Sequence, residues 1–344
     1  MTAVKPGTGS VLDQLARSRE LVEPSLREAV SRLDDHSRLV ASYHFGWCDE
    51  HGRPSSGSGG KAIRPGLALL VGEAVAGTPE PAVPGGVAVE LVHNFSLIHD
   101  DLMDRDTQRR HRRTVWAIWG DPTAVLVGDA LASLADEVLA ESDSPHAHRA
   151  GHALAVATRE LIRGQVLDVA FEQRDDVSLA ECLDMAAGKT SSLLGLAAQL
   201  GAILGGAGEE ESEAFRSYGW ELGLAFQLVD DLLGIWGSPD RTGKPVFSDL
   251  RAHKKTMPVV WSIEHGGAAG RELATWLADS GSPSDADLRD AADLVEEAGG
   301  RAWAVAEAEE RVRRAGEALE TAGIAPRNRE RLDELAQFMV ERQL

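Results

Sequence analysis

The stretch from Leu91 to Arg113, LVHNFSLIHDDLMDRDTQRRHRR, gathers the residues best suited to chemistry. An apolar run gives way to three carboxylates, Asp100, Asp101 and Asp104, and then to the basic residues Arg109, Arg110, Arg112 and Arg113. On a helix Asp100 and Asp104 stand one turn apart on one face, with Asp101 roughly a quarter-turn round. Like charges at that spacing repel unless a partner intervenes. A hard divalent cation bound through oxygen removes the repulsion, and Mg²⁺ joined to a diphosphate suits carboxylates close to arginines. On a solvated helix face the same acids would do no chemistry, and this chain has 55 Asp plus Glu. The NFSLIH before them favours a site, because a helix that is apolar up to its charged end directs that end at an interior cavity.

The pattern recurs. In EAFRSYGWELGLAFQLVDDLLGIW, residues 213–236, an apolar helix again runs into Asp230 and Asp231, with Gln227 three residues before Asp230 on its face. Two such helices are stronger evidence than either alone. Basic residues sit at several element ends. GKAIRP at 60–65 places Lys61 and Arg64 three apart at the start of an apolar helix, where the pair can hold an anionic group. SPDRTGKP is a turn holding Lys244, and RAHKKTMPVV places Lys254 and Lys255 before another helix. Lys189 and Thr190 lie in an apolar context, where a lysine also occurs simply as a snorkelling surface residue. Arg163, Gln165 and Asp168 interrupt the apolar surface of RELIRGQVLDVAFE. The loop at 52–61 is no nucleotide P-loop, since Ser55 stands five before Gly60 and Ala62 follows Lys61. His44, Cys48 and His51 are metal-ligand types, but no second cluster has zinc spacing.

The elements that must position these groups are helices. Apolar residues at spacings of three and four predict a helix from Leu21 to about Tyr43, one carrying the first acidic cluster to about Arg105, and others over 121–141, 146–173, 179–204, 213–236 and 327–342. Ser178 and Glu181 form a capping box at the start of the helix over 179–204. Residues 282–320 are Ala/Glu rich with apolar periodicity, and no βαβ rhythm with a glycine fingerprint occurs. With 344 residues, one large domain or two smaller ones are allowed; the expected division is a loose arm at 1–18 and a single all-helical domain at 19–344. A net charge of −20 argues against a general nucleic-acid surface. Two cysteines give no disulfide framework and fit a reducing compartment. No stretch reaches eighteen uncharged apolar residues and the N-terminus lacks a signal core, so a cytoplasmic protein is expected.

Two carboxylate clusters facing each other across a helical bundle would cage several Mg²⁺ ions and, with Arg and Lys, bind and polarise a diphosphate. The sequence resembles the trans-polyprenyl diphosphate synthase family from about residue 20 through the last helix. GKAIRP, DDLMD at 100–104 followed by RR at 109–110, KTSSL at 189–193, FQLVDD at 226–231 and GK at 243–244 match in order and approximate spacing. The resemblance implies an all-α isoprenoid synthase fold, a large helical bundle around a central apolar cavity, assembled as a homodimer. It implies condensation of isopentenyl diphosphate with an allylic diphosphate. Asp100 and Asp104 are then ligands of two Mg²⁺ ions with Asp101 in support, and Asp230 of a third with Asp231 helping. Arg109, Lys189, Lys244 and Lys254 hold the allylic diphosphate, and Thr190 and Gln227 border the reacting carbons. Lys61, Arg64, His93 and Arg110 form the isopentenyl diphosphate site. The implied mechanism is ionisation, attack by the isopentenyl double bond, and proton removal by the released diphosphate.

The chain departs from the family in two places. The second motif, usually DDxxD, reads DDLLG with Gly234 in third place, and after RR the usual Gly and Pro are replaced by His111 and Arg113. Product length depends on what closes the cavity beyond the first motif. Phe95 and Ser96, five and four residues before Asp100, resemble a geranylgeranyl-type (C20) enzyme, with farnesyl (C15) the rival; Phe95 as mere core packing is the bland reading. The alternatives are a terpene cyclase on the same fold, which has no use for a second anionic site, and a non-catalytic subunit of a heteromeric synthase.

Overall fold

The structure, a computed structural model, describes residues 10–55, 62–238, 245–279 and 281–341; Lys61 and Lys244 lie outside them. Helix α1 (Val11–Ser31) begins where Ser10 Oγ accepts the Asp13 N–H at 3.3 Å and Asp13 Oδ2 accepts the Ser10 N–H at 2.9 Å. This capping box starts the helix inside the 1–18 stretch expected to be an arm. The helix expected from Leu21 to Tyr43 is broken. Asp34 Oδ1 accepts the N–H groups of His36 and Ser37, capping a new helix, α2 (Asp35–His44).

The chain forms two compact units: residues up to 155 with 196–215 and 324–334, and residues 156–195 and 216–323 with the chain from 335. The first unit is built on α4 (Val83–Met103), against which α1, α3 (Ile63–Ala76) and α6 (Asp121–Ala140) pack. Val87, Ala88, Val89, Leu91 and Val92 are all buried, as in a helix apolar on every side. At roughly 1.5–3 kcal/mol for each buried Val or Leu, this packing holds the helix firmly enough to present carboxylates together at its end.

Arg105, at φ 59, ends α4, and the chain turns into a small antiparallel hairpin, β1 (Gln108–Arg109) and β2 (Arg112–Arg113). Its two turn residues, Arg110 and His111, have φ 51 and 61, the left-handed pair of a type I′ hairpin. Arg112 ties the hairpin to the end of α2: Nη1 donates to Tyr43 O at 2.9 Å, Nη2 to Cys48 O at 2.7 Å, and the guanidinium lies 4.0 Å over the Tyr43 ring. Tyr43 Oη donates in return to Arg113 O at 2.8 Å. The Arg113 guanidinium donates to Ala117 O in α5 (Val115–Trp119), so this departure from the family pattern has a bonded role.

The second unit takes α7 (Ala147–Glu172) from residue 156, α8 (Leu179–Ala186), a π-helical turn at Ala187–Ser191, the start of α9 (Ser192–Gly205) and α10 (Glu209–Trp236) from residue 216. There follow α11 (Ser248–Arg251), α12 (Met257–His265), α13 (Gly267–Leu277), α14 (Asp285–Glu297), α15 (Gly300–Ala322) and the end of α16 (Pro326–Glu341). Leu224, Leu228 and Leu232 of α10 pack with Met257, Val260, Ala304 and Ala308 in one core, while Ile235, Leu250, Val259, Leu273 and Leu288 form another. The backbone of the π turn presses directly on that of α7. A Cβ on Gly164 would lie 2.2 Å from Lys189 N, and one on Gly188 would lie 2.8 Å from Gly164 Cα, so this approach needs glycine on both sides. Among the described residues no helix is long and apolar enough to cross a membrane.

A left-handed φ is easier for glycine than for histidine, so His111→Gly should relieve the hairpin turn. The expected result is a stabilisation of about 1 kcal/mol in urea unfolding.

Candidate active site

Asp100 and Asp104 emerge from α4 as the spacing predicts, with the Asp104 N–H bonded to Asp100 O at 2.9 Å, one helical turn apart. Their neighbour Asp101 is buried, and Arg109 delivered by the hairpin is its partner: Nε donates to Asp101 Oδ1 at 2.7 Å, and Nη2 lies 3.7 Å from Asp100 Oδ2. Burial raises the Asp101 carboxyl to about 6 despite Arg109. Its Oδ2 is buried with no hydrogen-bond partner. The repulsion expected of the acidic cluster is thus met in part by a cation of the protein's own.

Next to Arg109 in the chain, Arg110 belongs to a second group. Arg64, in the first turn of α3, has Nη1 3.3 Å from His93 Nε2 on α4, and its buried Nε has no hydrogen-bond partner. Burial, countered by Glu90 and reinforced by Arg110, lowers the Arg64 guanidinium to about 10. Burial, Arg64 and Arg110 hold the His93 imidazole well below its ordinary range. His44, the last residue of α2, is brought to about 3 by burial, Arg109 and Arg110. Both histidines are therefore neutral at physiological pH, leaving two guanidiniums, an unpartnered N–H and imidazole rings to receive an anion.

In the second unit Lys189, on the π turn, reaches Asp168 Oδ2 on α7 at 2.5 Å. From Thr190 a line of hydrogen bonds runs inward: Oγ1 donates to Gln227 Oε1 at 2.8 Å, Gln227 Nε2 to Asp231 Oδ1 at 2.9 Å, and the Met257 N–H to Asp231 Oδ2 at 2.9 Å. Asp231 is buried, and burial, with the charges of Asp230 and Asp249, raises its carboxyl to about 7 against these donors. A π turn within a helix is common where a side chain must be aimed at a site. Lys254 is exposed, and its neighbour Lys255 instead donates Nζ to Phe171 O at 3.0 Å.

The chain has relatives among known proteins. A model of the family described as Polyprenyl synthetase matches residues 46–295. The chain belongs to this family. Its relatives include the (2E,6E)-farnesyl diphosphate synthase of Mycobacterium tuberculosis, 55% identical over 98% of this chain and 94% of that protein. The geranylgeranyl diphosphate synthase of the same organism is 40% identical over 91% of this chain and 89% of its own. The crystal structure of a polyprenyl synthetase from Streptomyces coelicolor superposes with a TM-score of 0.93 at 51% identity, covering 96% of this chain and 100% of that one. This polyprenyl synthetase has the all-α isoprenoid synthase fold and is a chain-elongating trans-prenyltransferase.

His44 enters the cationic group from a position that the sequence offers only as one of three scattered metal-ligand types. The Asp168 partner of Lys189 shows in the sequence only as a polar break in an apolar helix. Neither pairing has a local signal, since each joins residues far apart in the chain.

Because Asp231 binds its proton more tightly folded (about 7) than at its ordinary 3.8, the folded enzyme holds the extra proton between those values. Its contribution to stability is therefore greatest at low pH, falls as pH rises through that window, and is level above it. In Mg²⁺-free buffer, Asp231→Asn should flatten this part of the fall, read as the difference between wild-type and variant urea-unfolding curves from pH 4 to about pH 8.

Proposed function

We propose that this enzyme condenses isopentenyl diphosphate with an allylic diphosphate to a short all-trans product, principally geranylgeranyl diphosphate (C20). The observation that carries the reading is the pairing, within one unit, of a carboxylate cluster with a cationic group through the consecutive residues Arg109 and Arg110. Arg64, His93 and Arg110 hold the isopentenyl diphosphate, with Lys61 completing the set from outside the described residues. Arg109, Lys189 and Lys254 take the allylic diphosphate; Lys244, read in the same role, is also outside the described residues. Thr190 and Gln227, oriented by the bond to Asp231, border the reacting carbons.

Enzymes of this family are Mg²⁺-dependent, and the donor set fits a hard cation: Asp100 and Asp104 present carboxylates one turn apart, and the buried Asp101 Oδ2 lacks a hydrogen-bond partner. Among the described residues no group of three Asp, Glu, His or Cys side chains is already drawn together as a cage. Asp100, Asp104 and Asp230 would hold the ions, three in our reading, with Asp101 and Asp231 behind them. Bound there, Mg²⁺ supplies neutralising charge to the departing diphosphate. The protein's own part is to fix the two anions, orient the allylic carbon and exclude water from the carbocation.

Phe95 supports the C20 length. It is buried five residues before Asp100, with its ring edge-on to His99 at 5.5 Å, while Ser96 beside it is small and donates Oγ to His93 O at 2.7 Å. Farnesyl diphosphate (C15) is the second reading, favoured by the relative at 55% identity. Mass spectrometry of products made from isopentenyl diphosphate and dimethylallyl, geranyl or farnesyl diphosphate decides between them. Phe95→Ala should lengthen the product, and an unchanged product would return Phe95 to core packing.

We also read the enzyme as a cytoplasmic homodimer. The buried free thiols Cys48 and Cys182 support a reducing compartment. Exposed apolar residues support a covered surface: Val125 and Leu126 on α6, and Ile162, Val166 and Val169 at helical spacing on α7. Leu126→Asp should shift the mass in light scattering from dimer toward monomer.

A further inference from the structure

Gly234, the departure in the second aspartate motif, lies four residues after Asp230 and so one turn along the same face of α10. That place is filled from another element. A Cβ added to Gly234 would lie 1.9 Å from Asp249 Oδ2 and 2.4 Å from Asp249 Cγ, so the Asp249 carboxylate occupies the volume that a side chain at 234 would need. The segment carrying Asp249 is fastened to the end of α10. Phe247, at φ 64, donates its N–H to Ile235 O at 3.1 Å, and Ser248 Oγ donates to Gly234 O at 3.3 Å. Leu250, fully buried, roots the same short helix in the core, and the Lys254 N–H donates to Asp249 O at 2.9 Å.

The half-buried Asp249 carboxylate has no basic side chain within ion-pair distance among the described residues; its one side-chain contact is a long bond from Ser248 Oγ, 3.5 Å to Oδ1. A carboxylate placed near Asp231 adds to the negative charge there, which a bound cation would offset.

We propose that Asp249 supplies the third carboxylate of the second acidic cluster, standing one turn beyond Asp230 in the place that Gly234 leaves open, and helps to seat a cation-bound diphosphate there. Gly234 and Asp249 form one device: the glycine is the seat and the aspartate is the charge. Asp249 is a positioning residue in this scheme, and the scheme rests on the reading of Asp230 as a cation-holding residue.

The test uses the full-length protein with MgCl₂ and inorganic diphosphate as the probe, read as thermal stabilisation without turnover, and in parallel the Mg²⁺ dependence of KM and kcat for the allylic diphosphate. Asp249→Asn keeps the shape that packs on Gly234, so a loss reports charge; it should weaken the Mg²⁺–diphosphate stabilisation by roughly 10–100-fold in concentration, as supporting carboxylates at metal sites do. Gly234→Asp alone should also lose, because the new side chain collides with Asp249. Combining Gly234→Asp with Asp249→Gly returns one carboxylate to the same place and should recover most of the affinity. Unchanged probe binding in Asp249→Asn would overturn the proposal, as would a double variant no better than Gly234→Asp. Asp230→Asn is the separate control: if it too leaves probe binding unchanged, the reading of Asp230 falls and the proposal with it, whereas loss in Asp230→Asn alone removes only Asp249.

Discussion

Arg109 donates Nε to the buried Asp101 at 2.7 Å and leans toward Asp100 at 3.7 Å, and this contact conditions much of the first unit. An apolar helix that ends in clustered carboxylates needs positive charge nearby before any ligand binds. The charge must come from a residue that α4 itself cannot supply, so the chain reverses through a two-residue turn and brings Arg109 back. That turn is strained at Arg110 and His111, and it persists because Arg112 and Tyr43 bolt the hairpin to α2. The same bolts carry His44 and Arg110 into the cationic group. One ion pair thus links the acidic and the basic halves of the site.

The basic half has a different logic. Its histidines are held neutral by burial and by arginines, so its charge does not change across physiological pH. In the second unit polar groups are joined in a line rather than clustered. Thr190, Gln227, Asp231 and the Met257 N–H fix one another's orientation, and every member has its bond. A buried network of that kind is rigid when complete.

Periodicity alone revealed the helices and placed Asp100 with Asp104 and Asp230 with Gln227 on shared faces, because those relations are local. The ordered motifs then sufficed for the family. Less was legible where the signal is a cap or a distant contact. Asp34 divides the helix expected over Leu21 to Tyr43 because a short acid at a helix start outweighs continuous apolar spacing. The clamp of Arg112 on Tyr43 and Cys48, the Lys189–Asp168 pair and the carboxylate of Asp249 against Gly234 join residues separated by tens of positions or by a turn of chain, and no spacing rule reports them. Gly234 read as a loss because the sequence shows what is missing from a motif and not what replaces it.

The π turn at Ala187–Ser191 has a consequence for how this enzyme can change. It accommodates one more residue per turn than the α-helices on either side, which is equivalent to a single-residue insertion in an otherwise continuous helix. Removing one residue there would restore regular geometry and leave the faces of α8 and α9 in register, because the wide turn absorbs the extra residue locally. What would be lost is the wide turn itself, and with it the close approach of Gly188 to Gly164 and the direction in which Lys189 and Thr190 leave the helix. The aim of Lys189 and Thr190 is therefore inherited as a count of residues as well as their identities, together with the glycines that let the turn meet α7.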